Sequence, residues 1–138
     1  MHSKKIIDAI CQALISDTSL YDITVISEFP SVKQDVPLQR SVVSVGLEAI
    51  EITGTDNELP ISANASPIYY KFGLMLCVPQ AGTGTVCHDA VDRILKSLKA
   101  TVSDYSVTEI KVGQMKYSSA LGALTVLITV TVFNGNAY

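Results

Sequence analysis

Residues 68–133 constrain most strongly what this chain can fold into. The segment begins with a strand pattern from Ile68 to Val78, in which successive side chains point to opposite faces. A glycine-containing turn and an amphipathic helix at 85–99 follow, and then two strands rich in β-branched residues, at 107–117 and 121–133. The short connection between the last two strands favours an antiparallel hairpin.

The residues before this segment predict one helix and two strands. Ser3 is a candidate N-cap for a helix whose apolar residues recur at helical spacing. A short apolar run at 23–26 predicts the first strand, and residues 40–53 predict the second, with a β-bulge near Glu48 and Ala49 where the alternation shifts by one residue. The stripe of the helix comprises Ile6, Ile7, Ile10, Cys11, Leu14 and Ile15.

This order of elements, α-β-β-β-α-β-β, predicts an α+β fold in a single domain spanning residues 1–138. The sheet is expected to be mostly antiparallel, with two helices packed on one face. The residues on the apolar faces define the predicted core, which comprises Ile10, Leu14, Tyr70, Phe72, Leu74, Leu76, Ile94, Leu98, Val126, Ile128 and Val130.

Composition narrows the class of protein. Hydrophobic residues make up 48% of the chain and charged residues 17%, an apolar balance that favours subunit contacts. The net charge of −3 and the scattered lysines and arginines argue against nucleic-acid binding. The three cysteines form no C-x-x-C motif, which predicts buried thiols in a reducing compartment. Neither a cleaved signal peptide nor a membrane span is expected.

The turn Gly82-Thr83-Gly84-Thr85 is the strongest candidate for chemistry. It follows a strand and opens a helix, which is the setting of a phosphate-binding loop. However, the dinucleotide fingerprint needs a third glycine where this chain has Cys87, and the Gly-Lys pair of a P-loop is missing. We therefore expect a strand-to-helix turn that binds no nucleotide.

Other reactive side chains form no recognisable motif. Cys87 and His88 are neighbours on a helix and point about 100° apart, so they make a poor thiol–imidazole pair. The carboxylates Glu48, Glu51, Asp56 and Glu58 are not spaced in a way that requires them to meet. The sequence therefore predicts no catalytic residues, no cofactor site and no metal site.

The polar stretch from Gly54 to Pro67 is long for a loop inside a compact domain, and loops of this kind are often functional. We expect it to contact a neighbouring subunit or another protein, although a plain surface loop is the alternative. The predicted contact residues are Asp56, Leu59, Ile61 and Asn64. Of these, Leu59 and Ile61 would be the apolar anchors, and the polar residues around them would form the rim of the contact.

The sequence resembles the tail terminator (tail completion) proteins of long-tailed bacteriophages and phage-tail-like particles. The resemblance rests on the strand Tyr70–Pro79 (YKFGLMLCVP), the helix through Ile94–Leu98 and the closing strand Leu124–Phe133. It covers nearly the whole chain as a pattern of elements and a size, without a diagnostic motif.

This resemblance implies a structural protein with no enzymatic activity. Members of the family form a ring, typically a hexamer, that caps the tail-tube protein, ends tail polymerisation and offers a surface to the neck or head-completion protein. It also implies that the protein binds no specific nucleic-acid sequence and no membrane, and that it moves from the host cytoplasm into the virion or a phage-tail-like particle. The alternatives are another neck, connector or baseplate component, or a small cytosolic ligand-binding protein or enzyme that uses the Gly82–Thr85 turn.

Overall fold

The computed structural model describes residues 2–27, 40–52, 68–79, 84–101, 106–120 and 122–133. Two helices and six strands lie in these ranges, together with a short 3-10 helix at Thr18–Leu20. The helices are α1 (His2–Ser16) and α2 (Gly84–Thr101), and the strands are β1 (Ile23–Ile26), β2 (Ser41–Ile52), β3 (Ile68–Pro79), β4 (Ser106–Val112), β5 (Lys116–Ser118) and β6 (Ala123–Phe133).

The six strands form one mixed sheet in the order β1-β2-β3-β6-β4, and β5 also pairs with β6. The pairing of β1 with β2 is parallel, whereas the other strand pairs are antiparallel. The predicted α+β class and the mostly antiparallel sheet are therefore confirmed.

Strand β3 is the centre of the sheet and pairs along its length with both β2 and β6. Phe72, for example, lies between Leu47 on one side and Val130 on the other. The register between β2 and β3 shifts between Leu47 and Ala49, which confirms the predicted bulge. Alternation in the sequence therefore located both the strand and its irregularity.

One face of the sheet packs against both helices to form the core. Tyr70, Phe72, Leu74 and Leu76 of β3 have no exposed surface, because they lie beneath the apolar sides of the helices. Every predicted core residue is buried. The helices supply Ile6, Ile10, Cys11, Leu14, Cys87, Ala90, Val91, Ile94 and Leu98 to this cluster.

Two predictions for residues of the first helix were wrong. Ser3 lies inside α1 and is 3% exposed, so the prediction that it caps the helix was wrong. Ile15 was placed on the buried stripe, but it is 60% exposed. Its neighbour Leu14 already faces the core, and adjacent helical positions point in different directions.

The strand expected at 107–117 is divided into β4 and β5 by Gly113–Met115. The Gly113 backbone N–H still donates a hydrogen bond of 2.8 Å to the Leu127 carbonyl oxygen, so the chain stays beside β6 across the interruption. The turn into β6 contains Gly122, which has a φ of 59°. Glycine adopts this left-handed conformation without the penalty that a Cβ atom would bring.

The predicted Gly54–Pro67 loop lies outside the described residues.

Candidate interaction surfaces

The sheet face opposite the helices, called here the open face, is the first candidate surface. It carries the alternate residues of β2, β3 and β6, which point away from the core. No helix covers this face in the part of the chain that the structure describes. Its central residues are Val42, Ser44, Gly46, Tyr69, Lys71, Gly73, Met75, Cys77, Thr125, Leu127, Thr129, Thr131 and Phe133.

One end of the open face is aromatic and charged. The rings of Tyr69 and Phe133, on paired strands, have centroids 5.3 Å apart. Next to them, Lys71 Nζ lies 3.0 Å from a carboxylate oxygen of Glu51. Phe133 is 37% exposed and Tyr69 is half-buried, so this end presents amphipathic aromatic side chains of the type enriched in protein interfaces.

The other end of the open face carries mainly apolar side chains. Met75 and Leu127 are half-buried partners on adjacent strands, and Cys77 beside them is buried. Ser44 lies across from Met75 on the other side, and its Oγ is buried with no hydrogen-bond partner among the described residues. An unsatisfied buried hydroxyl is uncommon in folded proteins.

Burial raises the pKa of all three thiols, Cys11, Cys77 and Cys87, above the ordinary value of 9.0. Cys87 lies close enough to Cys77 to add a smaller electrostatic contribution to that thiol's pKa. All three cysteines are free and buried, which confirms the prediction that they act as small apolar residues. Thiols that stay protonated at neutral pH are poor nucleophiles.

A groove between α2 and β4 is the second candidate surface. Its volume is about 450 Å³, and its apolar wall is formed by Leu95, Ile110 and Val112. Asp92, Lys96 and Lys99 form a charged rim along the helix. Val112 is 45% exposed, so part of the apolar wall remains accessible to solvent.

The opposite side of α2 is joined to the turn that precedes β1. Arg93 Nη1 donates hydrogen bonds of 2.6 Å to the Ser19 carbonyl oxygen and 2.7 Å to Asp22 Oδ1. Arg93 Nη2 donates a third, of 3.1 Å, to Asp22 Oδ2. Arg93 Nε also lies 2.9 Å from Asp89 Oδ2, without the alignment of a hydrogen bond.

Arg93 thus forms an i,i+4 ion pair with Asp89 within α2 and also binds the turn, so this side of the helix does not simply face solvent. The hydrogen bonds from Arg93 hold the pKa of Asp22 below its usual value of 3.8. The pKa of Asp17 is also lowered, mainly because the Ser19 hydroxyl donates a hydrogen bond to its carboxylate.

The third candidate region is the 3-10 helix, which is preceded in the chain by the exposed Ile15 and followed by the exposed Tyr21. Ile15 is 60% exposed and Tyr21 is 82% exposed. Asp17 and Asp22 are their acidic neighbours in the chain. An aromatic side chain with so little contact in its own subunit is available for contact with another molecule.

The residues considered above as candidates for catalysis or ligand binding form no common site within the described ranges. Gly84 and Thr85 are exposed at the start of α2, whereas Gly82 and Thr83 lie outside the described residues. Cys87 is buried and His88 is exposed, as expected. Within the described ranges, no group of three or more histidine, cysteine, aspartate or glutamate side chains could hold a metal ion.

The predicted contact residues of the long loop, Asp56, Leu59, Ile61 and Asn64, all lie outside the described residues. Glu48 and Glu51 lie on β2, and Glu51 is paired with Lys71. The groove, the unsatisfied Ser44 hydroxyl and the contacts of Arg93 with Ser19 and Asp22 were not foreseen from the sequence. The apolar spacing of Leu95 on α2 and of Ile110 and Val112 on β4 was the available signal for the groove.

No helix in the described part of the chain is both long and apolar enough to cross a membrane.

Comparison with known proteins gives no match, either to a protein-family profile or to a curated protein.

Proposed function

We propose that this chain is a structural assembly protein that forms a ring on the end of a phage tail tube. In this role it ends polymerisation of the tube and provides the surface to which the neck or head is joined. The resemblance of Tyr70–Pro79 and Leu124–Phe133 to tail terminator proteins supports this proposal, and these segments are the paired central strands β3 and β6.

The open face is the observation that carries the proposal. It combines half-buried apolar residues, threonine hydroxyls and an aromatic pair, in which Phe133 is exposed and Tyr69 half-buried, on one surface of the sheet. A surface of this composition suits contact with another protein better than contact with water alone. We assign it to contact with the tube or with the neck.

The contacts within the open face fit docking to a folded partner. The Lys71–Glu51 ion pair is partly exposed, with 36% and 50% of the two side chains accessible, so it can exchange partners at a polar rim. The Gly54–Pro67 loop remains a second proposed contact.

The decisive experiment polymerises the tail-tube protein encoded in the same genome, with and without this chain. We expect tubes to stop at a shorter length and to carry a ring at one end in negative-stain electron micrographs. Leu127→Lys, which places a charge in the apolar end of the open face, should reduce capping at least tenfold. Gln12→Lys, which adds the same positive charge at an exposed position of α1, is the matched control and should cap normally.

Tubes of unchanged length with bare ends would contradict the proposal. Binding along the length of the tube, or at a baseplate, would favour the alternative of another tail component. Replacing Asp56–Asn64 by a short glycine-serine turn tests the loop separately, because loop shortening alone has a small effect on stability.

A further inference from the structure

We propose that the outer edge of β4 and the groove beside it bind an extended, acidic peptide segment of a partner protein, which adds to the sheet as a further strand. This inference goes beyond the capping role and does not depend on it. It is carried by three features of the described residues: the backbone groups at the edge of β4, the apolar side chains beside them, and the lysines on the helix side of the groove.

Strand β4 lies at one edge of the sheet and pairs with β6 alone among the described strands. In an antiparallel pair, successive residues direct their backbone groups alternately toward the partner strand and away from it. The Gly113 N–H donates its hydrogen bond to Leu127, so Gly113 and Lys111 direct their backbone groups toward β6. Ile110 and Val112 therefore direct their N–H and C=O groups outward, where they pair with no described strand.

This outer edge is short and carries charged side chains. The register with β6 shifts between Val107 and Glu109, and residues 113–115 separate β4 from β5. Glu109 and Lys111 form an exposed ion pair of 3.6 Å, on the opposite face of the strand from Ile110. Short edges with irregularities and charges resist indiscriminate strand pairing. A partner strand must therefore gain further contacts through its side chains.

The groove provides a place for these side chains. Ile110 and Val112 lie on the same side of the sheet as α2 and form the groove wall with Leu95. Every second side chain of an added strand would lie on this same side, beside the wall. Val112 is 45% exposed, so an apolar side chain placed beside it would remove hydrocarbon surface from water. In binding by strand addition, main-chain hydrogen bonds supply affinity and side-chain pockets supply specificity.

The lysines of α2 favour an acidic segment. Lys96 and Lys99 line the groove together with a single carboxylate, that of Asp92. Lys96 also acts electrostatically on Asp17 of the same chain, whereas Lys99 forms no ion pair with another residue in the described ranges. A carboxylate on the helix side of the added strand would complement the charge of Lys99. Complementarity of this kind selects one partner over others.

The test selects short random peptides, displayed on ribosomes, for binding to the immobilised full chain, with Val112→Asp as the counter-selection target. We expect the enriched peptides to alternate apolar residues with others and to carry aspartate or glutamate. A labelled copy of the most enriched peptide is then titrated with the chain in fluorescence anisotropy. Val112→Asp and Lys99→Glu should each weaken binding by about tenfold or more. Val86→Asp, at a valine of α2 that is 44% exposed and outside the groove lining, is the matched control and should bind normally.

Modified peptides test the backbone pairing and the charge preference. In two N-methylated versions of the peptide, alternate amides are blocked in one phase or in the other. The version whose blocked amides face β4 should lose binding by about tenfold or more, and the other should bind normally, because its blocked amides face away from the strand. A version with lysine in place of its acidic residues should bind Lys99→Glu better than it binds the unaltered chain.

The proposal is overturned if no peptide is enriched on the unaltered chain over Val112→Asp, or if the two N-methylated versions lose binding equally. Normal binding of the acidic peptide to Lys99→Glu would also overturn it. Self-association of the chain that Val112→Asp abolishes, together with no peptide enrichment, would assign the edge to a second copy instead. Thermal unfolding checks every variant, and Val112→Thr takes the place of Val112→Asp if the latter fails to fold.

Discussion

Arg93 of α2 binds Asp22, 71 positions away in sequence, through both terminal nitrogens of its guanidinium group. The two hydrogen bonds, of 2.7 Å and 3.1 Å, reach different oxygens of the carboxylate. This forked geometry fixes the direction of the Asp22 side chain, which a lysine in place of Arg93 would not do. The pair therefore holds the turn before β1 against the middle of α2.

We expect the Arg93–Asp22 pair to contribute about 1 kcal/mol of coupling energy, near the upper end for partly exposed ion pairs because of its two-pronged geometry. The measurement is a double-mutant cycle with Arg93→Met and Asp22→Asn in urea denaturation. Lys71 and Glu51, joined by a single 3.0 Å contact, are the control pair and should give less than about 0.5 kcal/mol. Equal coupling energies in the two cycles would show that the two-pronged geometry of the Arg93–Asp22 pair adds no stability.

The stabilising effect of Asp22 should depend on pH. Its pKa is lowered in the folded state by the hydrogen bonds from Arg93, so its contribution is complete above the unfolded pKa, close to 3.8. It is lost as the pH falls further, through the lower pKa of the folded state. We therefore expect the stability difference between the unaltered chain and Asp22→Asn to be constant from neutral pH down to about 5 and to shrink below about 4. A stability difference that grows as the pH falls would show that the pKa of Asp22 is raised, not lowered, in the folded state.

Two isoleucines on different helices form a matched pair for core stability. Ile94 has no exposed surface, so Ile94→Ala should lower the free energy of unfolding by about 2–5 kcal/mol. Ile15 is 60% exposed, and Ile15→Ala should change it by less than about 0.5 kcal/mol. Denaturant titration of both variants gives the comparison. A large loss from Ile15→Ala would mean that its side chain packs within its own subunit.

The strands and the core were predictable because their signal is local. Tyr70, Leu74 and Val126 alternate with more polar positions, and a strand with one buried face requires this pattern. The bulge was predictable for the same reason, since an extra residue shifts the alternation by one. The capping prediction at Ser3 failed because a serine near a helix start carries the same local signal whether it caps the helix or lies within its first turn.

The surfaces were much less predictable than the core. The Arg93–Asp22 pair joins residues whose proximity depends on how α2 packs beside the turn, and neither local sequence specifies that packing. The groove has the same origin, since its wall combines Leu95 of the helix with Ile110 of an edge strand. The predicted contact at Leu59 and Ile61 stays a prediction, because those residues lie outside the described ranges.

Two glycines at tight positions should respond differently to alanine. A Cβ atom on Gly113 would lie 3.1 Å from the backbone oxygen of Leu127, which the sheet holds in place, so Gly113→Ala should cost about 1–3 kcal/mol. A Cβ atom on Gly73 would lie 2.9 Å from the side chain of Glu48, which is exposed and can move aside. We expect Gly73→Ala to cost less than about 1 kcal/mol. Thermal unfolding of the two variants should show this order, and the reverse order would contradict it.

The three cysteines should resist modification in the folded protein. Burial raises their pKa values and keeps reagents away, so a disulfide-exchange reagent at neutral pH should label Cys11, Cys77 and Cys87 only when the chain opens. Labelling followed by mass spectrometry, with and without denaturant, measures this directly. Rapid labelling of Cys77 in the native state would show that the apolar end of the open face is accessible.

The central position of β3 has a consequence for synthesis of the protein. One of its neighbours, β6, is the last strand described, and it supplies Val126, Ile128, Val130 and Val132 to the core. While β6 is still inside the ribosome, the edge of β3 that pairs with β6 is unpaired, and the core lacks the residues of β6. Unpaired strand edges of this kind promote aggregation. We expect nascent chains arrested before Ala123 to be readily cleaved by protease, and full-length released chains to be protected. Folding would then be completed only after β6 has left the ribosome, with chaperone protection needed until that point.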